Sequence, residues 1–458
     1  MRYVSTRGRA PELDFADVLL AGLADDGGLY VPVEWPKLPA LPAAGRPYHE
    51  VAAAVMAPFV GSSLGDGVLE RLCDEAYATF RHPAVCPLTQ LDSNEWLLEL
   101  FHGPTLAFKD VALQLVGRMF DHVLGERQQR VTIVGATSGD TGSAAIDGVK
   151  SCEHVDIVIL YPYGRVSQVQ RRQMTTVEGA NVHAVAVDGT FDDCQDLVKA
   201  MFADVAFRNE LSLSAVNSIN WARVMAQIVY YVTTWQALGE QPLRYVVPTG
   251  NFGNILAGWV AGQMGLPIEG LVVASNSNDI LTRWMTTGSM TAAGVVPTLS
   301  PSMDIQVSSN TERLLFELNG RDGGLTDEQL TNFRRSGRLV MEPDQMSTLH
   351  SNFSAGRLDD AGTSAVIADV YRSTGQLIDP HTAVGIGVGR SVGSTSDAPT
   401  VYAATAHAAK FPDAVEAATG VHPGLPAHLA DLFERPERTT LVANDLTAVE
   451  DLVRRLVR

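Results

Sequence analysis

Lys109 lies in the stretch HGPTLAFKDVALQLVG (residues 102–117), at the point where an apolar helical pattern begins. A helix start carries partial positive charge, so a purely stabilising lysine belongs at the other end. With Leu106, Ala107 and Phe108 beside it, its ammonium form is disfavoured by desolvation and by the helix dipole. A neutral lysine amine is the nucleophile of Schiff-base chemistry. The competing reading is an ordinary solvated lysine, and this stretch alone does not separate the two.

Two small-residue loops offer a matching chemistry. GATSGDTGSAA (135–145) follows the strand-like RVTIVGA and leads into a helical pattern. Its hydroxyls and closely spaced N–H groups suit a carboxylate or a phosphate. It matches neither G-x-G-x-x-G nor the P-loop, and it is equally consistent with a plain strand-to-helix turn. PTGNFGNILAG (248–258) follows LRYVVPTG, and Gly250 and Gly253 let backbone amides approach a phosphate monoester closely. The alternative there is a turn whose glycines serve only positive φ angles. Thr405, in VYAATAHAAKF, adds a hydroxyl on a strand, a position that is ordinarily structural. A lysine amine and a phosphate cradle in one chain are the two features that pyridoxal phosphate uses together.

The elements that must hold these loops read as an α/β protein. Short β-branched runs at 130–136, 155–162, 181–189, 243–250, 268–276 and 400–406 alternate with helical segments. That pattern predicts an α/β fold with a mostly parallel sheet and helices on both faces. In such sheets ligands bind beyond the carboxyl ends of the strands, where all three loops lie. Residues 1–90 read as a mainly helical lead-in. Residues 310–375 read as a more polar, helical insert or cover. SVGSTSDAP (391–399) reads as a surface loop.

Bulk properties narrow the function. A chain of 458 residues exceeds one ordinary core, which predicts more than one structural unit. A net charge of −18 argues against a general nucleic-acid or membrane-surface binder, because it repels both polyanions. Four scattered cysteines (Cys73, Cys86, Cys152, Cys194) give no metal-site spacing and fit a reducing compartment. The first residues, MRYVSTRGRAPELDF, lack the apolar core of a signal peptide, and no apolar run is long enough to span a bilayer. The expectation is a cytoplasmic enzyme without a metal.

Eight stretches in order, GLADDGGLYVP, LFHGPTLAFKD, ATSGDTGSAA, ILYPYGRVSQVQ, VDGTFDDCQDLVK, NSIN, PTGNFGN and TAHAAKF, resemble the threonine synthase family in its longer bacterial and fungal form. That family belongs to the fold type II, tryptophan-synthase-β-like, pyridoxal-phosphate enzymes, which implies two three-layer α/β domains with mostly parallel sheets: 91–125 and 236–458 as the large cofactor-binding domain, and 126–235 as the smaller, mobile substrate-binding domain. The stretches reach from residue 22 to residue 411. The resemblance implies conversion of O-phospho-L-homoserine and water to L-threonine and phosphate by a monomer or homodimer. It implies that Lys109 is the Schiff-base lysine and that Gly250, Asn251, Phe252, Gly253 and Asn254 hold the cofactor phosphate. Thr405 would face the pyridine nitrogen, and Asp140 would stand near the cofactor ring. Thr137, Ser138, Gly139 and Thr141 would grip the substrate carboxylate, and Asn217, Ser218, Asn220 and Arg223 the other end of the substrate. His381, in DPHTAVG, also matches.

Departures from the family pattern are informative. Asp140 stands where many fold type II relatives carry asparagine, so it needs a proton or a nearby cation. HAAKF replaces an expected HPAKF, and 385–400 reads looser than the usual helix. Sister activities that share the cofactor are a serine/threonine dehydratase and a phospholyase forming 2-oxobutyrate. A cofactor-binding regulator is the non-enzymatic alternative.

Overall fold

The six β-branched runs all become strands in the computed structural model, which describes residues 1–215, 217–394 and 396–457. Thr395, inside the stretch expected to be a surface loop, lies outside the described residues. The strands divide between two sheets. The larger has six, in the order Phe353–Arg357, Ile268–Ser275, Leu243–Pro248, Thr400–Ala404, Glu95–Glu99 and Leu88–Asp92. All neighbours are parallel except the final hairpin pair. The smaller sheet has five parallel strands, ordered Thr439–Ala443, Val182–Asp188, Val155–Pro162, Val131–Ala136 and Leu213–Ser214.

Every residue of Val155–Pro162 and of Leu243–Pro248 is buried, as expected for parallel strands covered by helices on both faces. Continuous apolar runs therefore announced the central strands. The edges gave less signal. Phe353–Arg357 (FSAGR) falls within the segment expected to be a helical insert, yet it completes the larger sheet. Thr439–Ala443 is largely exposed and pairs with Val182–Asp188, so the chain's end joins the smaller sheet rather than the larger unit of 236–458. A half-solvated edge needs no apolar run. Helix Leu446–Leu456 covers this corner, with Val449, Leu452 and Val453 packed in the cluster of Val185 and Val187.

The stretch 385–400 is also tighter than its composition suggested. Helix Pro380–Val392 runs through its first half. Its small residues let it lie flush on the larger sheet, where a side chain on Gly389 would meet Tyr402 at 2.5 Å. Among the described residues no helix is long and apolar enough to cross a membrane.

Two helices carry the chemistry toward one point. Helix Lys109–Glu126 packs against helix Asp140–Val149, which follows the smaller sheet's Val131–Ala136. They approach so closely that a Cβ on Gly117 would lie 2.1 Å from the Gly148 carbonyl oxygen, and one on Gly148 would lie 2.6 Å from the Leu113 carbonyl oxygen. Backbone cannot yield as a flexible side chain does. We expect Gly117→Ala to lower stability by about 1–3 kcal/mol and to reduce activity, because Lys109 and Asp140 move apart. Denaturant midpoints alongside turnover check this, and an unchanged midpoint refutes it.

Candidate active site

Lys109 is the first residue of its helix, and the loop before it is held on both sides. The Phe108 amide donates to the Thr405 carbonyl at 2.9 Å, and the His407 amide donates to the Leu106 carbonyl at 3.0 Å. Leu106 adopts φ 63°, a left-handed conformation unusual for a branched side chain. Such local strain persists only where the surroundings enforce it. Asp110 helps: it accepts from the Thr105 amide at 2.8 Å and from the Thr105 hydroxyl at 2.6 Å. Lys109 thus leaves the carboxyl end of the larger sheet at a defined angle, 8% exposed.

Its Nζ lies 3.5 Å from Asp140 Oδ2. Burial lowers the lysine below its ordinary value; Asp140 opposes that shift, and the cations of Lys410 and Arg223 add to it. Asp140 is the most crowded group here. Its Oδ1 receives Lys410 Nζ at 2.8 Å and Gln170 Nε2 at 2.8 Å, and its Oδ2 also accepts from the Ser302 hydroxyl at 3.4 Å. Burial by itself would raise this carboxyl, but Lys410 and Lys109 together hold it well below the usual carboxylate range. The cation that Asp140 required is therefore Lys410, from HAAKF, with Lys109 second.

Ser302 links this group to His381. The Ser302 amide donates to His381 Nε2 at 3.2 Å, while His381 Nδ1 lies 2.7 Å from Asp379 Oδ2. The ring is thereby fixed with its proton on Nδ1. His381 is thus more than a residue that starts a helix after Pro380: it anchors the Ser302 segment over Asp140.

The loop Gly250–Asn254 leads into helix Gly253–Met264 and sits on the same edge, after Leu243–Pro248. Phe252 takes φ 63° at the helix N-cap. The Gly250 carbonyl accepts from the Ser308 hydroxyl at 2.7 Å, and the Asn251 carbonyl from Asn310 Nδ2 at 3.0 Å. With those oxygens turned onto the 308–310 segment, the first amides of the helix are left without intrahelical acceptors, as a phosphate cradle needs. Asn254 Oδ1 is held by the hydroxyls of Tyr230 at 2.6 Å and Tyr231 at 2.9 Å, while its Nδ2 is buried without a hydrogen-bond partner. A Cβ on Gly250 would lie 2.6 Å from the Ser302 carbonyl oxygen. We expect Gly250→Ala to weaken cofactor retention by about tenfold or more, the equivalent of roughly 1.4 kcal/mol; equilibrium dialysis with pyridoxal phosphate measures it, and unaltered retention would count against a phosphate role for this loop.

The remaining expected residues separate into groups. Ser138 is exposed and Thr141 half-buried, on either side of Asp140 at the start of helix Asp140–Val149. Thr137 lies beneath them: its hydroxyl accepts from the amides of Gly139 at 3.0 Å and Gly142 at 2.9 Å, shaping the loop. Asn217 is exposed, and Ser218 reaches the Ser309 hydroxyl at 3.3 Å beside the phosphate loop. Asn220 stands apart from them. It is fully buried, caps helix Trp221–Ala237 through the Ala222 amide and donates to the Leu19 carbonyl at 2.8 Å, so both ends of its amide are consumed in the fold. Thr405 is buried at the end of its strand, one residue past Thr400–Ala404.

Arg223 is the reverse case. It is buried, 4% exposed, and its Nε and Nη1 find no partner among the described residues. Burial pushes it down to about 10, which still leaves a cation at neutral pH. An unpaired buried guanidinium is costly unless an anion joins it. Sequence reasoning missed Lys410, Gln170, Ser302 and Asn310. Lys410 stood inside a quoted motif, but no charge pattern marks which lysine is buried.

A buried lysine of lowered basicity, an unpaired cation and a helix-start cradle fit pyridoxal phosphate, and among the described residues no group of three acidic, histidine or cysteine side chains is placed for a metal. With its parallel sheets, this site defines a pyridoxal-phosphate enzyme of fold type II. Three family models match in order: threonine synthase N terminus over 2–77, pyridoxal-phosphate dependent enzyme over 83–336, and threonine synthase, C-terminal over 382–453. The chain belongs to the threonine synthase family. It is 54% identical to threonine synthase of Pseudomonas aeruginosa, across 99% of this chain and 98% of the relative. The crystal structure of PLP-bound threonine synthase from Brucella melitensis is 54% identical, covers 100% of both chains and gives a TM-score of 0.97. The yeast threonine synthase crystal structure is 37% identical over 99% of this chain and 98% of its own, with a TM-score of 0.94.

Proposed function

We propose that this chain converts O-phospho-L-homoserine and water into L-threonine and phosphate by γ-elimination followed by β-addition of water, the last step of threonine biosynthesis. The observation that carries the reading is the pairing of the buried Lys109 amine with a second, unpaired buried cation, Arg223. One group handles protons at carbon; the other receives an anion.

Bound pyridoxal phosphate supplies the electron sink that makes the substrate's Cα and Cβ protons removable. Burial lowers Lys109 below its ordinary value, which favours its role in taking the proton from Cα and moving a proton at Cβ. Ser138, Gly139 and Thr141, at a helix start, hold the α-carboxylate. Arg223 meets the substrate phosphate and stabilises it as its bond to Cγ breaks. Ser218 and Asn217 orient that end, and Gly250–Asn254 hold the cofactor phosphate. Asp140 stays anionic between two lysines and keeps Lys109 aimed. Thr405 offers a neutral hydroxyl to the ring nitrogen. After protonation at Cγ, water adds at Cβ and yields the threonine hydroxyl.

Early water would divert the reaction to an oxo-acid, so residues 126–235, together with the last strand and helix, act as the mobile unit that closes over the site. The acting species is a monomer or homodimer in the cytoplasm, with no nucleic-acid or membrane partner; light scattering reads the first of these. The deciding assay follows threonine, 2-oxobutyrate and phosphate from O-phospho-L-homoserine. Threonine and phosphate in equal amounts are expected. Phosphate with 2-oxobutyrate instead identifies a phospholyase, and no phosphate at all overturns the reading.

A further inference from the structure

Lys410 is wholly buried, with its Nζ 2.8 Å from Asp140 Oδ1 and 2.7 Å from the Thr105 carbonyl oxygen. Asp140's other oxygen faces Lys109 at 3.5 Å. One carboxylate thus stands between two lysines and reaches the closer one first. The three arrive from different places: Asp140 from the smaller sheet's first helix, Lys410 from the turn after Thr400–Ala404, and Lys109 from the helix after HGPTLAF.

We propose that Lys410 is a positioning residue that sets the proton balance of Lys109 by neutralising Asp140. A buried carboxylate left with one cation would draw that cation into a full ion pair and keep it charged. With Lys410 holding Oδ1, Lys109 is left with a long, weak contact to Oδ2 and an amine free to act. Arg223 adds positive charge near Lys109 from helix Trp221–Ala237, and His381, its Nε2 accepting from the Ser302 amide, faces Asp140 from helix Pro380–Val392. Asp110, the acidic neighbour on Lys109's own helix, is taken up by Thr105. The only carboxylate in hydrogen-bond reach of Lys109 among the described residues is therefore the one Lys410 compensates.

The inference rests on Lys109 being the cofactor's lysine. Its test is the pH midpoint of the cofactor's visible absorbance in the holoenzyme, a readout that a merely structural lysine does not move. Lys410→Met should raise the midpoint by about one pH unit or more, because Asp140 then stabilises positive charge at Lys109 alone. Asp140→Asn should lower it, since Lys410 then repels without compensation. The double variant should return close to wild type, and Lys410→Arg should stay there. An unmoved midpoint in Lys410→Met, or single variants that shift in the same direction, overturns the proposal. Should Lys410→Met fail to fold, a double variant that folds with a wild-type midpoint supports it, and a double variant that also fails overturns it. A band that survives in Lys109→Ala would instead remove the lysine assignment, and this inference with it.

Discussion

Lys109→Ala should reduce threonine formation by about 10³-fold or more, since covalent attachment and proton transfer are lost together. Phosphate release should fall in parallel, and borohydride reduction should no longer leave cofactor mass on the chain. The nearby Lys410 does not rescue the variant: its Nζ is fully buried and already committed to Thr105 and Asp140. The protein should still fold, because removing a desolvated amine relieves burial rather than opening the apolar core. A small primary amine added to the assay should restore part of the rate by standing in for the missing group. Threonine formation unimpaired in Lys109→Ala would end the assignment; a dead variant that still retains covalent cofactor would move it to another lysine.

The second large effect is expected at Arg223. Its Nε and Nη1 are buried without partners among the described residues, and an anion is the partner that would satisfy them. Truncation to methionine keeps the apolar stem and removes the charge. Losing one side of a buried charge pair costs roughly 2–5 kcal/mol, equivalent to about 30- to 5,000-fold in kcat/KM for the phosphorylated substrate. Stability should rise slightly, because the unpaired cation is itself unfavourable in the free enzyme. Arg223→Lys should recover only part of the rate, as a point charge replaces a planar fork. In wild type the guanidinium, pushed down to about 10 by burial, keeps its charge from acid to mildly alkaline pH. Phosphorylated-substrate binding should therefore hold through neutrality and weaken as pH passes about 10. Equal loss toward an unphosphorylated amino-acid ligand would show that Arg223 serves the fold or the cofactor instead.

These effects depend on a layout that was only partly readable beforehand. Central strands such as VDIVILYP declared themselves because burial on both faces demands an unbroken apolar run. Edge strands such as FSAGR and TTLVA did not, because half of each faces solvent and their partners lie far away in the chain. The glycines of 385–389 looked like looseness and proved to be close contact, Gly385 and Gly389 with the larger sheet and Gly387 with Leu358 and Val366. Asn220 and Arg223, three residues apart in one motif, had the same expected role. One became a fully satisfied cap and the other a buried cation with open donors.

Local chemistry along the chain was enough to specify the parallel α/β class, the lysine at a helix mouth and the two small-residue loops that open helices. These depend on residue type and short-range spacing, and the motifs that carry the family resemblance are equally local. Only the tertiary structure decided which charges share a site. Lys109, Asp140 and Lys410 are separated by 31 and 270 residues, yet their side chains meet at 3.5 and 2.8 Å because the carboxyl ends of strands from two sheets converge there. Electrostatic coupling acts through space, and sequence separation contains no record of it until the sheets have formed.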